Sequence, residues 1–275
     1  MVLRGEGLLK IQKSFVILLI LALAILAGCG NEQYPKDVVA VVNGKTISEK
    51  DIEKKLTERK MTSAFANSIG YVEPIGITPK EALIKGLNVN GDDLTPDQLR
   101  YLESTERLTT KLLSNNEAFN ILLREAVLYQ QALKEGYSVS TDDAKQILAE
   151  SKQATDEKLK NDKDAQEKYN ETLETNKKIY NQFGFQSEED YLNQRIDKTA
   201  QALTISRMKN QFNKVITDKL PKANGLQLVV EKQNAWDDYS EYLLKKAKVE
   251  ILNKEYSIEI YGGPWSYGTL DLKSK

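Results

Sequence analysis

The sequence predicts a mainly α-helical protein with a small β-sheet joining its N- and C-terminal segments, and three observations carry that prediction. Beyond residue 48, apolar side chains recur at helical spacing, and several stretches open on a Ser or Thr followed three residues later by an acid or glutamine. Strand signals are confined to the two ends: the β-branched run Val38 to Val42 closed by Asn43-Gly44, and the alternation of Val249 and Ile251 with Lys248 and Glu250. The repeated strand-helix alternation of a two-lobed α/β protein is absent, which argues against a solute-binding lipoprotein of a transporter.

Composition narrows the chemistry. The chain has 275 residues, one cysteine and no histidine. Without histidine there is no His-based acid-base work, no Ser-His or Cys-His nucleophile pair and no usual zinc site. Carboxylates, lysines and tyrosines remain, and nothing in their arrangement argues for catalysis.

The elements follow in order. Arg4, Lys10 and Lys13 precede an apolar run over 15–26, the basic and apolar regions of a secretory signal peptide. A spanning helix needs about twenty residues, so this run is too short for a permanent anchor. Leu26-Ala27-Gly28 leads directly into Cys29, the pattern of a bacterial lipobox. That resemblance implies a signal peptide over 1–28, cleavage between Gly28 and Cys29, and a diacylglyceryl lipid on the Cys29 thiol, the only covalent group expected; no cofactor and no metal are expected. Two acyl chains hold a protein on a membrane where one is marginal. The leader carries three of the chain's 39 basic residues and one of its 40 acids, so the mature chain is nearly balanced and no nucleic-acid partner is expected. With Cys29 lipidated no disulfide forms within a chain, and packing alone must hold the fold.

Residues 29–36 are a short polar tether, and the body extends over 37–253, with a C-terminal strand and tail over 254–275. Ser48 and Asp51 start a first helix from about 49 into the mid-sixties. Glycines and prolines break the pattern over 67–95, an insert with at most one turn of helix near 80–85. Thr95-Pro96-Asp97-Gln98 restarts helix, with Tyr101, Leu108 and Leu112 on its buried face. The next helix, about 117–135, is apolar around almost its whole circumference and is stopped by Gly136, so the body should pack around it.

Ser140 and Asp143 start one long helix, about 141–182, whose part from 151 to 178 is charged, with one narrow apolar stripe. Acid-first pairs (Asp156 with Lys160, Asp164 with Lys168, Glu174 with Lys178) have the spacing that supports an exposed helix. Ser187 and Asp190 cap a helix of about eight turns along Leu192, Ile196, Leu203, Met208, Phe212 and Val215, closed by Pro221 and Gly225. Trp236, Tyr239, Leu243 and Leu244 form a short last helix, and Tyr256, Ile258 and Ile260 continue the final strand as a hairpin. Residues from 262 onward are expected to be loosely held.

In this order, Val38-Val39-Ala40-Val41-Val42-Asn43-Gly44-Lys45-Thr46-Ile47-Ser48 and Leu122-Leu123-Arg124-Glu125-Ala126-Val127-Leu128-Tyr129-Gln130-Gln131-Ala132, with Gly136 and Val139-Ser140 after it, resemble the N-terminal chaperone domain of SurA and PrsA-type foldases. The likeness continues at Phe183-Gly184 through Tyr191 and at 236–252, and covers most of 37–253. It implies a helical chaperone domain that binds unfolded or partly folded exported polypeptides, and together with the lipobox the expectation is a chaperone membrane-anchored on the extracytoplasmic face. The insert and the charged helix are departures from that pattern. No parvulin isomerase module is present, so isomerase activity does not carry over; a prolyl isomerase would rest on family naming alone.

A site for many clients would be apolar and aromatic. Phe183, Phe185, Tyr191, Met208 and Phe212 are the candidates, and the same five also fit ordinary packing. The alternative is an envelope assembly or scaffold subunit that grips one partner through the insert or charged helix. The sequence sets no oligomeric state.

Overall fold

The computed structural model describes residues 34–68, 84, 94–109, 112–160, 162–220 and 225–273. The signal peptide, Cys29 with its lipid, and nearly all of the 67–95 insert lie outside the described residues. Those described form a mainly α-helical body of eight helices and a three-stranded antiparallel sheet.

The sheet is ordered β2-β1-β3, from β1 (Val38–Val42), β2 (Lys45–Ser48) and β3 (Val249–Ile251). All five β1 side chains are buried, as expected of a central strand with a continuous apolar run. Asn43 and Gly44 both take positive φ, 49° and 85°, the backbone of a tight hairpin turn. β2 was not anticipated, although Asn-Gly followed by Thr46 and Ile47 is the signal of a hairpin's second strand. Across β1, Val42 pairs with Val249 and Ala40 with Ile251, so the sheet ties both ends of the body together as expected. Asn43 reinforces the junction, since its Oδ1 accepts from the Lys248 N–H at 2.8 Å.

α1 (Glu49–Ser68) begins where expected, with the Asp51 N–H donating to Ser48 Oγ at 3.2 Å. α2 (Pro96–Thr109) starts on a capping box in which the Thr95 N–H donates to Gln98 Oε1 at 2.8 Å. Leu112 is 62% exposed and does not continue its buried face. α3 (Asn115–Lys134) is capped by Ser114 and Glu117 and is the central element: Phe119, Leu123 and Ala132 are fully covered. It packs against α1, the sheet, α7 (Ile196–Thr217) and α8 (Gly225–Lys246).

Four expectations about helices are corrected. The long charged helix is two helices, α4 (Thr141–Leu159) and α5 (Lys163–Gln182), because Asp162 leaves the helical region at φ −128° and its carboxylate accepts from the Ala165 N–H. Of the described residues between 151 and 178 none is buried, and none of the three acid-first pairs closes into a salt bridge. The eight-turn helix is likewise divided into α6 (Glu188–Gln194) and α7 at Arg195, φ −121°, whose guanidinium is drawn to Glu58 of α1. Gly225 opens α8 rather than closing the preceding helix, and α8 runs 22 residues instead of forming a short final helix.

The C-terminal tail is the largest departure. After β3 the chain makes no hairpin, but it is not loose either. Residues 257–261 lie extended along α3 and α8, whose side chains take the place of a partner strand. The Ser257 N–H donates to Asn116 Oδ1 and the Glu259 N–H to Asn120 Oδ1, both at 2.8 Å; Asn120 Nδ2 returns a bond to the Ser257 carbonyl. Arg124 donates to the Glu259 carbonyl and Glu241 accepts from the Tyr261 N–H at 2.9 Å. Asn116, Asn120 and Arg124 succeed one another every four residues, so one face of α3 holds the ladder. Ile258 and Ile260 are left outward, 39% and 59% exposed. At Gly262 the tail passes so close to α8 that a Cβ would lie 2.5 Å from the Asp237 carbonyl oxygen, and the tail ends with Leu272 buried.

Candidate functional site

The sequence places aromatic side chains at the C-terminal ends of α1 and α5 and the start of α6, and the fold brings those three ends together. Met61, Ile179 and Tyr180 form the covered floor; Phe65, Phe183, Phe185 and Tyr191 are half-buried around it. Phe65 and Tyr180 meet edge to face at 5.0 Å, Tyr180 and Tyr191 at 5.5 Å, and Tyr191 and Phe185 edge to face at 5.0 Å. Four rings thus run continuously at spacings that aromatic pairs favour.

Local chemistry fixes this arrangement. α5 is capped at its C-terminus by Phe183, and Gly184 turns the chain back at φ 86°. The Phe185 N–H donates to the Tyr180 carbonyl and the Gly184 N–H to that of Asn181, a left-handed helix end in which Phe185 folds against Tyr180. Two residues on, Ser187 accepts from the Asp190 N–H at 3.1 Å and starts α6, which delivers Tyr191.

Charges border the rings on one side. Lys55 donates to Glu125 at 2.6 Å and lies 3.5 Å from Glu58, which also pairs with Arg195. The Arg195 guanidinium sits 5.2 Å from the centre of the Tyr191 ring. Burial pulls the Lys55 ammonium down, but Glu125 and Glu58 outweigh it and hold the group above its ordinary range. Burial pushes the Tyr180 hydroxyl up to about 12 and raises Tyr191 too, so both are neutral near pH 7. The surface therefore offers ring faces and neutral hydroxyls, suited to apolar contact rather than proton transfer. Among the described residues no cluster of three His, Cys, Asp or Glu side chains could hold a metal ion.

The five candidates divide. Phe183, Phe185 and Tyr191 share this patch. Met208 and Phe212 belong instead to a second cluster with Trp236, Tyr239 and Trp265, and both are fully buried. A surface role for these two is corrected: α7 is enclosed by α3, α8 and the tail, which leaves no face of either side chain open. Phe65 and Tyr180 were missed. The spacing of Met61 and Phe65, and of Tyr180 and Phe183, gave each an apolar face, but only the fold shows that the two faces meet. No family model, no curated protein and no solved structure matches this chain.

Proposed function

We propose that this protein is a lipid-anchored extracytoplasmic chaperone that holds unfolded or partly folded exported polypeptides without catalysis, resembling the SurA-type chaperone domain without its isomerase module. The observation that carries the reading is the open aromatic patch of Phe65, Phe183, Phe185 and Tyr191, a preformed surface of rings whose outer members are only half covered. Burial of apolar area is non-directional and stabilises by roughly 25 cal/mol per Å², so such a patch accepts many sequences weakly. Cys29 supplies the membrane attachment and a short tether the spacing from the surface.

The test is suppression of aggregation. Purified protein at near-stoichiometric ratio should slow aggregation of several unrelated denatured proteins, and Phe183→Ser with Phe185→Ser should weaken that protection while the protein stays folded. Absence of protection for every client, by a chain shown to be folded, would overturn the reading. Cys29→Ser should leave an uncleaved, unlipidated precursor, and normal maturation of that variant would remove the anchor from the proposal.

A second reading is favoured by α4 and α5, whose described residues between 151 and 178 include no buried side chain. That charged stretch, exposed along both helices although Ala144 of α4 and Ile179 and Tyr180 of α5 are buried outside it, fits a subunit binding one native envelope protein. Cross-linking in the intact envelope separates the two: one stoichiometric partner supports the assembly subunit, and a broad set of nascent or unfolded chains supports the chaperone.

A further inference from the structure

Away from the aromatic patch, α2, α3, α7, α8 and Tyr261 line a partly open cavity of about 130 Å³. Asp237, Ser240 and Glu241 line it from α8, where their spacing of three and four residues puts them on one face. Each carries an oxygen that is buried and has no hydrogen-bond partner: Asp237 Oδ2, Ser240 Oγ and Glu241 Oε2. Glu241 is 1% and Ser240 4% exposed. The asymmetry at Glu241 is pronounced, because Arg124, the Tyr261 N–H and the Gly262 N–H all converge on Oε1 and leave Oε2 open. A buried polar atom left unpaired is costly, and three from one face of α8 beside the cavity call for a donor-rich occupant.

The opposite side supplies donors. Arg107 and Arg124 both stack on Tyr261, 3.7 and 4.0 Å from its ring centre. Arg124 is committed to Glu241, Asn120 and the Glu259 carbonyl, and Lys209 to Gln233. Arg107 is held among the described residues by its stacking on Tyr261 and its attraction to Asp237, with no hydrogen bond or salt bridge to a described residue, so its N–H groups are the uncommitted donors of the wall. Three cations (Arg107, Arg124, Lys209) face three carboxylates (Glu125, Asp237, Glu241) around the cavity, which disfavours any ligand with net charge. Ile121, Leu128 and Trp236 complete the lining with apolar surface.

We infer that this cavity binds a small zwitterion of the α-amino acid class, its ammonium on Asp237, Ser240 and Glu241 and its carboxylate on Arg107. An ammonium has three N–H donors for the three open oxygens, and a guanidinium binds a carboxylate in a two-pronged geometry. A short apolar side chain would lie against Trp236. Burial pushes the Asp237 carboxyl up and the Lys209 ammonium down, and their mutual attraction offsets only part of the lost solvent. The inference is independent of the chaperone reading.

The test is calorimetric titration of the full chain in detergent micelles with glycine, L-alanine, ethylamine and acetate, followed in parallel by tryptophan fluorescence, since Trp236 lines the cavity. L-Alanine should bind saturably, and ethylamine and acetate, each keeping one charged end, should bind about tenfold more weakly or not at all. Arg107→Gln and Ser240→Ala should each weaken L-alanine binding by a similar factor, with the thermal transition confirming that both variants are folded. No binding of either amino acid by the folded chain would mean that water alone occupies the cavity and would overturn the inference. Ethylamine or acetate matching L-alanine would overturn it too, showing a simple cation or anion site. Binding unchanged in both variants would place the ligand elsewhere.

Discussion

Two aromatic clusters of similar composition have opposite fates in this molecule. Around Phe212, the rings of Trp236, Tyr239 and Trp265 lie at 5.0, 5.3 and 6.2 Å, and the tail residues Trp265, Tyr267, Leu270 and Leu272 close over them. Around Tyr180, the rings of Phe65 and Tyr191 sit at the same spacings, yet among the described residues nothing closes over Phe185 and Tyr191. Ring content and ring geometry therefore do not separate core from surface. The cover does, and the cover of the first cluster is a tail held over 257–263 by polar side chains of α3 and α8 and packed beyond that through Trp265, Tyr267, Leu270 and Leu272.

The sharpest test of this contrast is truncation at the buried centre. Phe212→Ala should destabilise the protein by about 3–5 kcal/mol, the range for emptying a fully enclosed aromatic site, read from the midpoint of urea unfolding. A loss comparable to that of a surface substitution would mean that the first cluster is as open as the second. The cover is tested next through Glu241→Gln, which removes the charge that faces Arg124. Breaking one side of a buried ion pair costs about 3–5 kcal/mol when the remaining charge stays enclosed. Escape of the released tail into solvent would keep the loss toward the lower end. Limited proteolysis should accordingly begin within 256–273 in this variant and not in the wild type; unchanged cleavage would show that the tail does not depend on Glu241.

Much of this architecture was legible in the residues because helix starts are local chemistry. Ser48, Thr95, Ser114, Ser140 and Ser187 each accept from the N–H three residues on, and no distant contact is needed for that bond. Tertiary contacts were not legible. Arg195, where one helix ends and the next begins, pairs with Glu58, far away in sequence. The tail reads as loose because its order comes from Asn116, Asn120, Arg124 and Glu241, polar residues that helical periodicity assigns no contact role. Met208 and Phe212 look the same as Phe183 and Phe185 in sequence, since spacing identifies an apolar face but not what lies over it. The polar cavity was invisible for a related reason: Arg107, Asp237 and Ser240 come from two helices whose approach is set by packing elsewhere.

On the open cluster the expected energies are smaller and the functional readout larger. Gly184 holds φ 86° with nothing within 4 Å of where a Cβ would lie, so alanine there meets backbone strain alone. Gly184→Ala should cost about 1 kcal/mol and loosen Phe185 from Tyr180, with a visible drop in aggregation suppression. A variant that kept full protection would show that Phe185 need not be held in place, and would weaken the case for a preformed patch.

The smallest effect is confined to alkaline solution and compares the two clusters within one experiment. Burial pushes both Tyr180 and Tyr239 up to about 12 from an ordinary value of 10.0. Above pH 10 the unfolded chain releases these protons while the folded chain keeps them, so the folded state binds more protons and stability falls as pH rises toward 12. Below pH 10 both states hold the proton and the contribution is constant. Tyr180→Phe and Tyr239→Phe should therefore each flatten the decline of stability between pH 10 and 12 relative to wild type, while near pH 7 the loss of each hydroxyl should add no pH dependence. Both hydroxyls carry the same upward shift and both residues are buried, so the flattening should be similar for the two variants. Equal flattening would mean that the floor of the patch at Tyr180 is as dry as the core, with the openness confined to Phe183, Phe185 and Tyr191. No flattening for Tyr180→Phe would mean that water reaches its hydroxyl in the folded state, and the patch would then be a deeper cleft than its half-buried rim suggests.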